Sequence, residues 1–372
     1  MDLDLFLELL KIDSTSGREG ELADYIVEHL DLCGGKLSVF PAPECNSAAA
    51  CADGAVASNA ATCGPANAVC EPGKPSPKNI LISWGDPRIV FCTHYDTVPP
   101  YIVPIVEKRE DGRLAVRGRG TCDAKGQVFA MYNACRRLAA EGRTGFGLLL
   151  LYGEETGSFG AKSFRDIHPG GKVVIVGEPT DNKMVSASKG TKSFEVTVRG
   201  KSFHSGYPLY GASAVERFID LMNALRSVDF PIDPRLGETT WNVGKLHSDN
   251  AQNILSDHLT FRIYFRTTFA SDAMVCKVME DFNDEWVSVK AFGGDTPGEY
   301  LTLEGFGTKT VAFGSDAPQL TNYPLKALCG PGSILVAHTD AEYIYWDDIA
   351  AAVDNYVAMF HLLQKDIDQG NI

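Results

Sequence analysis

The stretch TGFGLLLLYGEE (residues 144–155) decides how this 372-residue chain is read. Phe146 and four consecutive leucines show no polar alternation, the pattern of a strand buried on both faces. Such strands belong to mostly parallel sheets with helices on both faces. KNILISWGDPRIVFCTHYDT (78–97) supplies two more strands around the turn Gly85-Asp86-Pro87, and GKVVIVGEPT (171–180) another. GQVFAMYNACRRLAAEG (126–142) is helical between them, and residues 1–40 read as two helices separated by DSTSGREGE. The result is an α/β domain.

Past Asn182 the texture changes. ASKGTKSFEVTVRG (187–200) and HLTFRIYFRTT (258–268) alternate as half-exposed strands, and GASAVERFIDLMNALRSV (211–228) and SDAMVCKVMEDFNDEW (271–286) are helical. We therefore expect an inserted α+β module over 181–291. The catalytic domain then comprises 1–180 and 292–372, ending in the helix WDDIAAAVDNYVAMFHLLQ. Residues 42–78 form a variable insertion biased to Ala, Asn, Gly and Pro. Its Cys45, Cys51, Cys63 and Cys70 lack C-x₂-C spacing and accompanying histidines, so a surface segment with free thiols is expected rather than a zinc knuckle.

Composition excludes several classes. A net charge of −14 speaks against nucleic acid and anionic membrane as partners. The acidic, amphipathic N-terminus is not a signal peptide, and no apolar run spans a bilayer. The expected compartment is the cytoplasm.

In open α/β sheets, ligands gather beyond the C-terminal ends of the strands. Here those ends carry His94 and Asp96, Glu154 and Glu155, Glu178 and, after SILVA, His338, while Asp123 precedes a helix. Each has an ordinary explanation: Asp123 suits a helix N-cap, Glu178 a loop. Together they describe a carboxylate-rich site for two divalent ions, one carboxylate bridging. Adjacent carboxylates repel unless a cation relieves them, so one of Glu154 and Glu155 binds metal and the other moves protons.

The stretches THYDTVP, GRGTCDAKGQ, YGEETGSFGA, VGEPT, GKSFHSG, QNILSDHLTFRIYFR, GPGS and AHTDAEYI occur in an order that resembles the di-zinc aminoacylase/carboxypeptidase family. Acetylornithine deacetylase, succinyl-diaminopimelate desuccinylase and glutamate carboxypeptidases belong to it. The resemblance implies a di-zinc hydrolase domain with a ferredoxin-like lid and dimerisation domain. It implies His94 and Glu178 as terminal ligands of one Zn2+, Glu155 and His338 of the other, and Asp123 as the bridge; Co2+ or Mn2+ also suits such donors. Glu154 matches the general base and Asp96 the acid that orients His94. His204, Asn253 and Arg266 match substrate-binding lid positions, although a solvated polar face explains Arg266 equally well.

The implied reaction is hydrolysis of an N-acyl amino acid, as by acetylornithine deacetylase, through a zinc-bridging hydroxide. The alternative is a dipeptidase or carboxypeptidase, and the implied assembly is a homodimer through the lid. A dinucleotide enzyme would need G-x-G-x-x-G after the first strand, which RGRGTCDAKG lacks. Tyr95, Pro100 and Tyr101 are expected to line the approach to the metals.

Overall fold

A computed structural model describes residues 1–43 and 73–372. The Cys45, Cys51, Cys63 and Cys70 insertion lies largely within 44–72, outside the described residues. The described chain divides into two compact units, Met1–Ser186 with Tyr300–Lys309 and Ser315–Ile372, and Ala187–Glu299 with Thr310–Gly314.

The first unit is built on a six-stranded sheet. Its order is Lys36–Pro41, Lys78–Trp84, Phe146–Leu151, Ile89–His94, Val173–Val176 and Leu325–Leu328. The first two pairings are antiparallel and the last three parallel. The two strands joined by Gly85-Asp86-Pro87 are therefore not partners, because Phe146–Leu151 lies between them. Strand side chains alternate in direction. Ile80, Ile82, Phe91, Leu148, Leu150 and Ile175 pack in one core with the helices Leu3–Lys11, Gly20–His29, Lys125–Ala140 and Trp346–Asp368. The intervening Leu81, Val90, Leu149, Leu151 and Val174 are buried on the other face, where Asn79 donates to the Gly160 carbonyl of the helix Phe159–Ile167. Burial on both faces accounts for the unbroken apolar runs.

The second unit runs strand, helix, strand, strand, helix, strand, with sheet order Thr240–His247, His258–Thr267, Gly190–Arg199, Val287–Gly293, all antiparallel. This is the ferredoxin-like arrangement. Helices Ala214–Arg226 and Asp272–Asp281 bury Leu221, Leu225, Val275 and Met279 against Val196, Val198, Phe261 and Ile263.

Two expectations need correction. SILVAHT is no strand: residues 333–342 form turns, with Leu335 84% exposed and His338 in the left-handed region at φ 62°. Apart from one bridge from Ser333 to Thr180 the run has no ladder partner, and of its apolar side chains only Ala337 is buried, so hydropathy alone misleads. Tyr95 does not line an approach to the site. Adjacent strand residues point to opposite sides, so Tyr95 sits in the core, its hydroxyl bonded to the Lys78 backbone N–H and C=O at 3.1 and 2.8 Å.

Candidate metal centre

Three adjacent parallel strands, Phe146–Leu151, Ile89–His94 and Val173–Val176, end side by side and deliver Glu154 and Glu155, His94 and Glu178. Gly153, at φ 65°, turns the chain out of its strand, and a Cβ on Gly160 would lie 2.6 Å from the Tyr152 carbonyl oxygen. Glycine is thus required on both sides of the acidic pair. Asp96 fixes that pair: its Oδ1 accepts the Glu154 N–H at 3.0 Å and its Oδ2 the Glu155 N–H at 3.3 Å. The Asp96 backbone carbonyl lies 3.0 Å from His94 Nδ1, which leaves Nε2 for a ligand.

Asp123 stands between two histidines. Its Oδ1 is 3.2 Å from His94 Nε2, and its Oδ2 is 3.2 Å from His338 Nε2. His338 Nε2 also lies 2.9 Å from Glu155 Oε1. Ligand atoms of His94, Asp123 and Glu178 lie within 4.8 Å of one another, as do those of Asp123, Glu155 and His338, and of His94, Glu154 and Glu155. Glu178 Oε1 is buried without a hydrogen-bond partner. An unpaired buried carboxylate oxygen costs about 1–3 kcal/mol or more, and a divalent cation is the partner this donor set fits.

The electrostatics follow from burial and crowding. Burial raises Glu154, Glu155 and Glu178 above the ordinary glutamate range, with neighbouring carboxylates adding to the effect. Burial also works to raise Asp123, yet the two histidines hold it well below the usual range.

The substrate candidates lie in the second unit. The segments around Phe203 and Asn253 run side by side, with Ser205 N–H donating to the Asn253 carbonyl at 2.9 Å and Leu255 N–H to the Phe203 carbonyl at 2.9 Å. His204 and Asn253 are therefore neighbours, both exposed. Arg266 is at the far end of the strand whose other end, His258, pairs with Arg199. Its guanidinium covers the Tyr264 ring at 4.9 Å. Arg262, on the same strand, pairs with Glu195 at 3.2 Å.

The sequence model of peptidase family M20/M25/M40 matches residues 90–361. The chain belongs to this family. A peptidase M20 domain-containing protein of Schizosaccharomyces pombe is 33% identical over 281 residues, 73% of this chain and 68% of that protein. A probable carboxypeptidase of Aspergillus oryzae is 33% identical over 306 residues, 73% of each. Among solved structures, a Staphylococcus aureus tripeptidase matches with TM-score 0.70 at 19% identity, over 95% of both chains. An M20 family metallo-carboxypeptidase of Sulfolobus solfataricus matches with TM-score 0.66 at 16% identity, over 96% of this chain and 98% of that one. As an M20 chain, the protein is a metallohydrolase.

Around its centre this M20 chain carries residues that sequence reasoning passed over. Ser16 donates to Asp96 Oδ2 at 2.8 Å, and the buried Glu19 accepts the Gly17 N–H. Burial and the Asp96 charge push Glu19 up to about 8. The segment between the two helices thus supports the acid behind His94, and nothing in its local pattern signals the contact. Asp316 is also buried, neither carboxylate oxygen well bonded and the Ser158 hydroxyl beside it, and burial raises it to about 7. Nothing in its local sequence marks it.

If His338 takes a cation, uptake should be coupled to proton release. Hydrogen bonds to Asp123 and Glu155 lift its imidazole to about 10. A cation claiming these side chains needs neutral imidazole and must displace that proton. The folded pKa is raised, so affinity should climb as pH rises toward about 10 and fall below it. Calorimetric Zn2+ titrations in buffers of different ionisation enthalpy should show net proton release. Affinity that stays flat between about pH 6 and pH 9 would contradict this.

Proposed function

We propose that this chain hydrolyses the amide bond before the C-terminal residue of a dipeptide or short peptide, with two divalent ions and Glu154 as general base. The observation that carries the two-ion reading is Asp123, whose two oxygens face His94 and His338 at 3.2 Å each. His94, Glu178 and Asp123 would hold one ion; Glu155, His338 and Asp123 the other. Mixed imidazole and carboxylate donors suit Zn2+, with Co2+ and Mn2+ also compatible. When bound, such ions supply Lewis acidity toward the scissile carbonyl and lower the pKa of water.

The chain's own residues do the rest. Glu154, which lies beside His94 and Glu155 and coordinates neither proposed ion, takes a proton from the attacking water and returns it to the leaving amine. Asp96 keeps the acidic pair and His94 in register. His204 and Asn253 contact the substrate, and Arg266 takes its carboxylate as a bidentate pair. Relatives named probable carboxypeptidases favour a peptide over an acylated amino acid. No helix among the described residues is long and apolar enough to cross a membrane. The six described cysteines are free thiols, which supports a reducing, cytoplasmic setting.

The second reading is an N-acyl amino acid deacylase of the acetylornithine type, since both substrates offer an amide and a carboxylate. A hydrolysis panel separates them. Dipeptides with free C-terminal carboxylates should be cleaved faster than N-acetylornithine, N-acetylcitrulline or N-succinyl-diaminopimelate. If N-acetylornithine is the best substrate, the deacylase reading replaces the peptidase one.

The spacing of substrate candidates in the second unit supports a homodimer. At about 3.3 Å per residue, the eight steps from His258 to Arg266 span roughly 26 Å, several times an extended dipeptide. That span favours a shared site in which one copy contributes Arg266 and the other the His204–Asn253 pair. Mixing His204→Ala with Arg266→Ala protein, each inactive alone, should restore about a quarter of wild-type turnover through mixed dimers. No recovery after verified subunit exchange would refute the shared site.

A further inference from the structure

Glu342 has no role in the reading above, yet it is fully buried and both its oxygens are engaged. Its Oε1 accepts the backbone N–H groups of Cys122 and Asp123 at 3.0 and 3.1 Å. Its Oε2 meets the Arg119 guanidinium at 2.6 Å, and Arg119, itself 2% exposed, reaches the Pro100 carbonyl at 3.3 Å. The Glu342 backbone carbonyl accepts the Gly118 N–H at 2.9 Å, and its N–H closes the turn that carries His338 onto Thr339. One residue thus grips the loop 118–123 from beneath Asp123 while belonging to the turn that presents His338.

We propose that Glu342 is a positioning residue that sets the separation of Asp123 and His338, and through it the affinity of the cation they share. The inference rests on the two-ion reading. A bridging carboxylate tolerates less displacement than a terminal one, because a shift that improves one contact lengthens the other. His338 has no strand to hold it, so its place relative to Asp123 comes from the turn, and Glu342 is where turn and loop join. The competing account treats Arg119 and Glu342 as a buried ion pair that merely keeps the fold together. That account assigns the two amide contacts no influence on metal.

Paired substitutions separate the accounts, because removing both charges leaves neither partner buried alone. Glu342→Gln with Arg119→Met keeps a carbonyl oxygen for the two amides; Glu342→Met with Arg119→Met removes it. Glu342→Asp keeps the charge for Arg119 but draws the acceptor back by about 1.5 Å, and serves if the Met pair does not fold. Zn2+ binding is read by calorimetry on chelator-stripped protein, beside thermal melting of the same samples. Wild type should bind two ions, and the Gln pair should match it within about 3-fold, whereas the Met pair and Glu342→Asp should lose about 10–100-fold in one step and less in the other. Equal affinities for the Gln and Met pairs, or wild-type binding by Glu342→Asp, would overturn the proposal. A wild-type protein that binds fewer than two ions would instead remove the two-ion reading, and this inference with it.

Discussion

Glu154→Gln should leave two divalent ions bound and slow turnover by about 10²–10⁴-fold, the usual cost of a lost general acid–base group. Gln keeps the shape of the side chain and the Glu154 N–H contact to Asp96, so the turn should hold. What disappears is the ability to carry a proton. Glu155→Gln is the control. Glu155 lies 2.9 Å from His338, so its loss should weaken one ion first and activity only as a consequence. Metal stoichiometry beside turnover, at one pH, distinguishes them. The proximity of Glu154 to His94 makes the reverse outcome informative: if Glu154→Gln sheds an ion while Glu155→Gln keeps two, the roles exchange.

Asp123→Asn should be the more damaging change. An amide offers one oxygen where the carboxylate offers two, so it can serve His94's ion or His338's but not both. At most one ion should remain tightly bound, and turnover should fall below that of Glu154→Gln. Glu178→Gln, by comparison, should cost one ion and leave the Asp123–Glu155–His338 group intact. Two tightly held ions in Asp123→Asn, with turnover near wild type, would show that nothing bridges there.

Much of this was legible in the chain because the fold writes it locally. Runs such as FGLLLL and VVIV have no polar alternation because both faces are covered, and acids directly after such runs stand at the sheet's C-terminal edge. His94, Glu154, Glu155 and Glu178 were singled out that way, and the structure brings their side chains together. His338 was singled out at the end of the apolar run SILVA, but the strand assumed there is absent and turns present it instead. Glu342, Arg119, Ser16 and Asp316 were missed because their partners lie far away in sequence: Glu342 acts on residues some 220 positions earlier, as its hydrogen bonds record. No periodicity encodes such a contact. In the second unit the alternation of His258–Thr267 was readable, but the distance between Arg266 and His204 depends on strand pairing, which one strand does not disclose.

The place of Phe146–Leu151 between Lys78–Trp84 and Ile89–His94 has a consequence for biosynthesis. A ribosome releases both of those strands before the one that joins them; Lys78–Trp84 can pair at once with Lys36–Pro41, but Ile89–His94 has no sheet neighbour until residue 151 has emerged. Val173–Val176 then waits for Leu325–Leu328, with its apolar edge open while more than a hundred further residues are translated. The ferredoxin-like unit has all four strands of its sheet within 190–293 and can finish in that interval. Translation thus completes the inserted unit before the sheet that surrounds it in sequence, and His338 leaves the ribosome after every other proposed ligand. Nascent chains stalled before residue 325 should carry a folded second unit and an unprotected strand edge, a state in which chaperones rather than metal ions are the relevant partners.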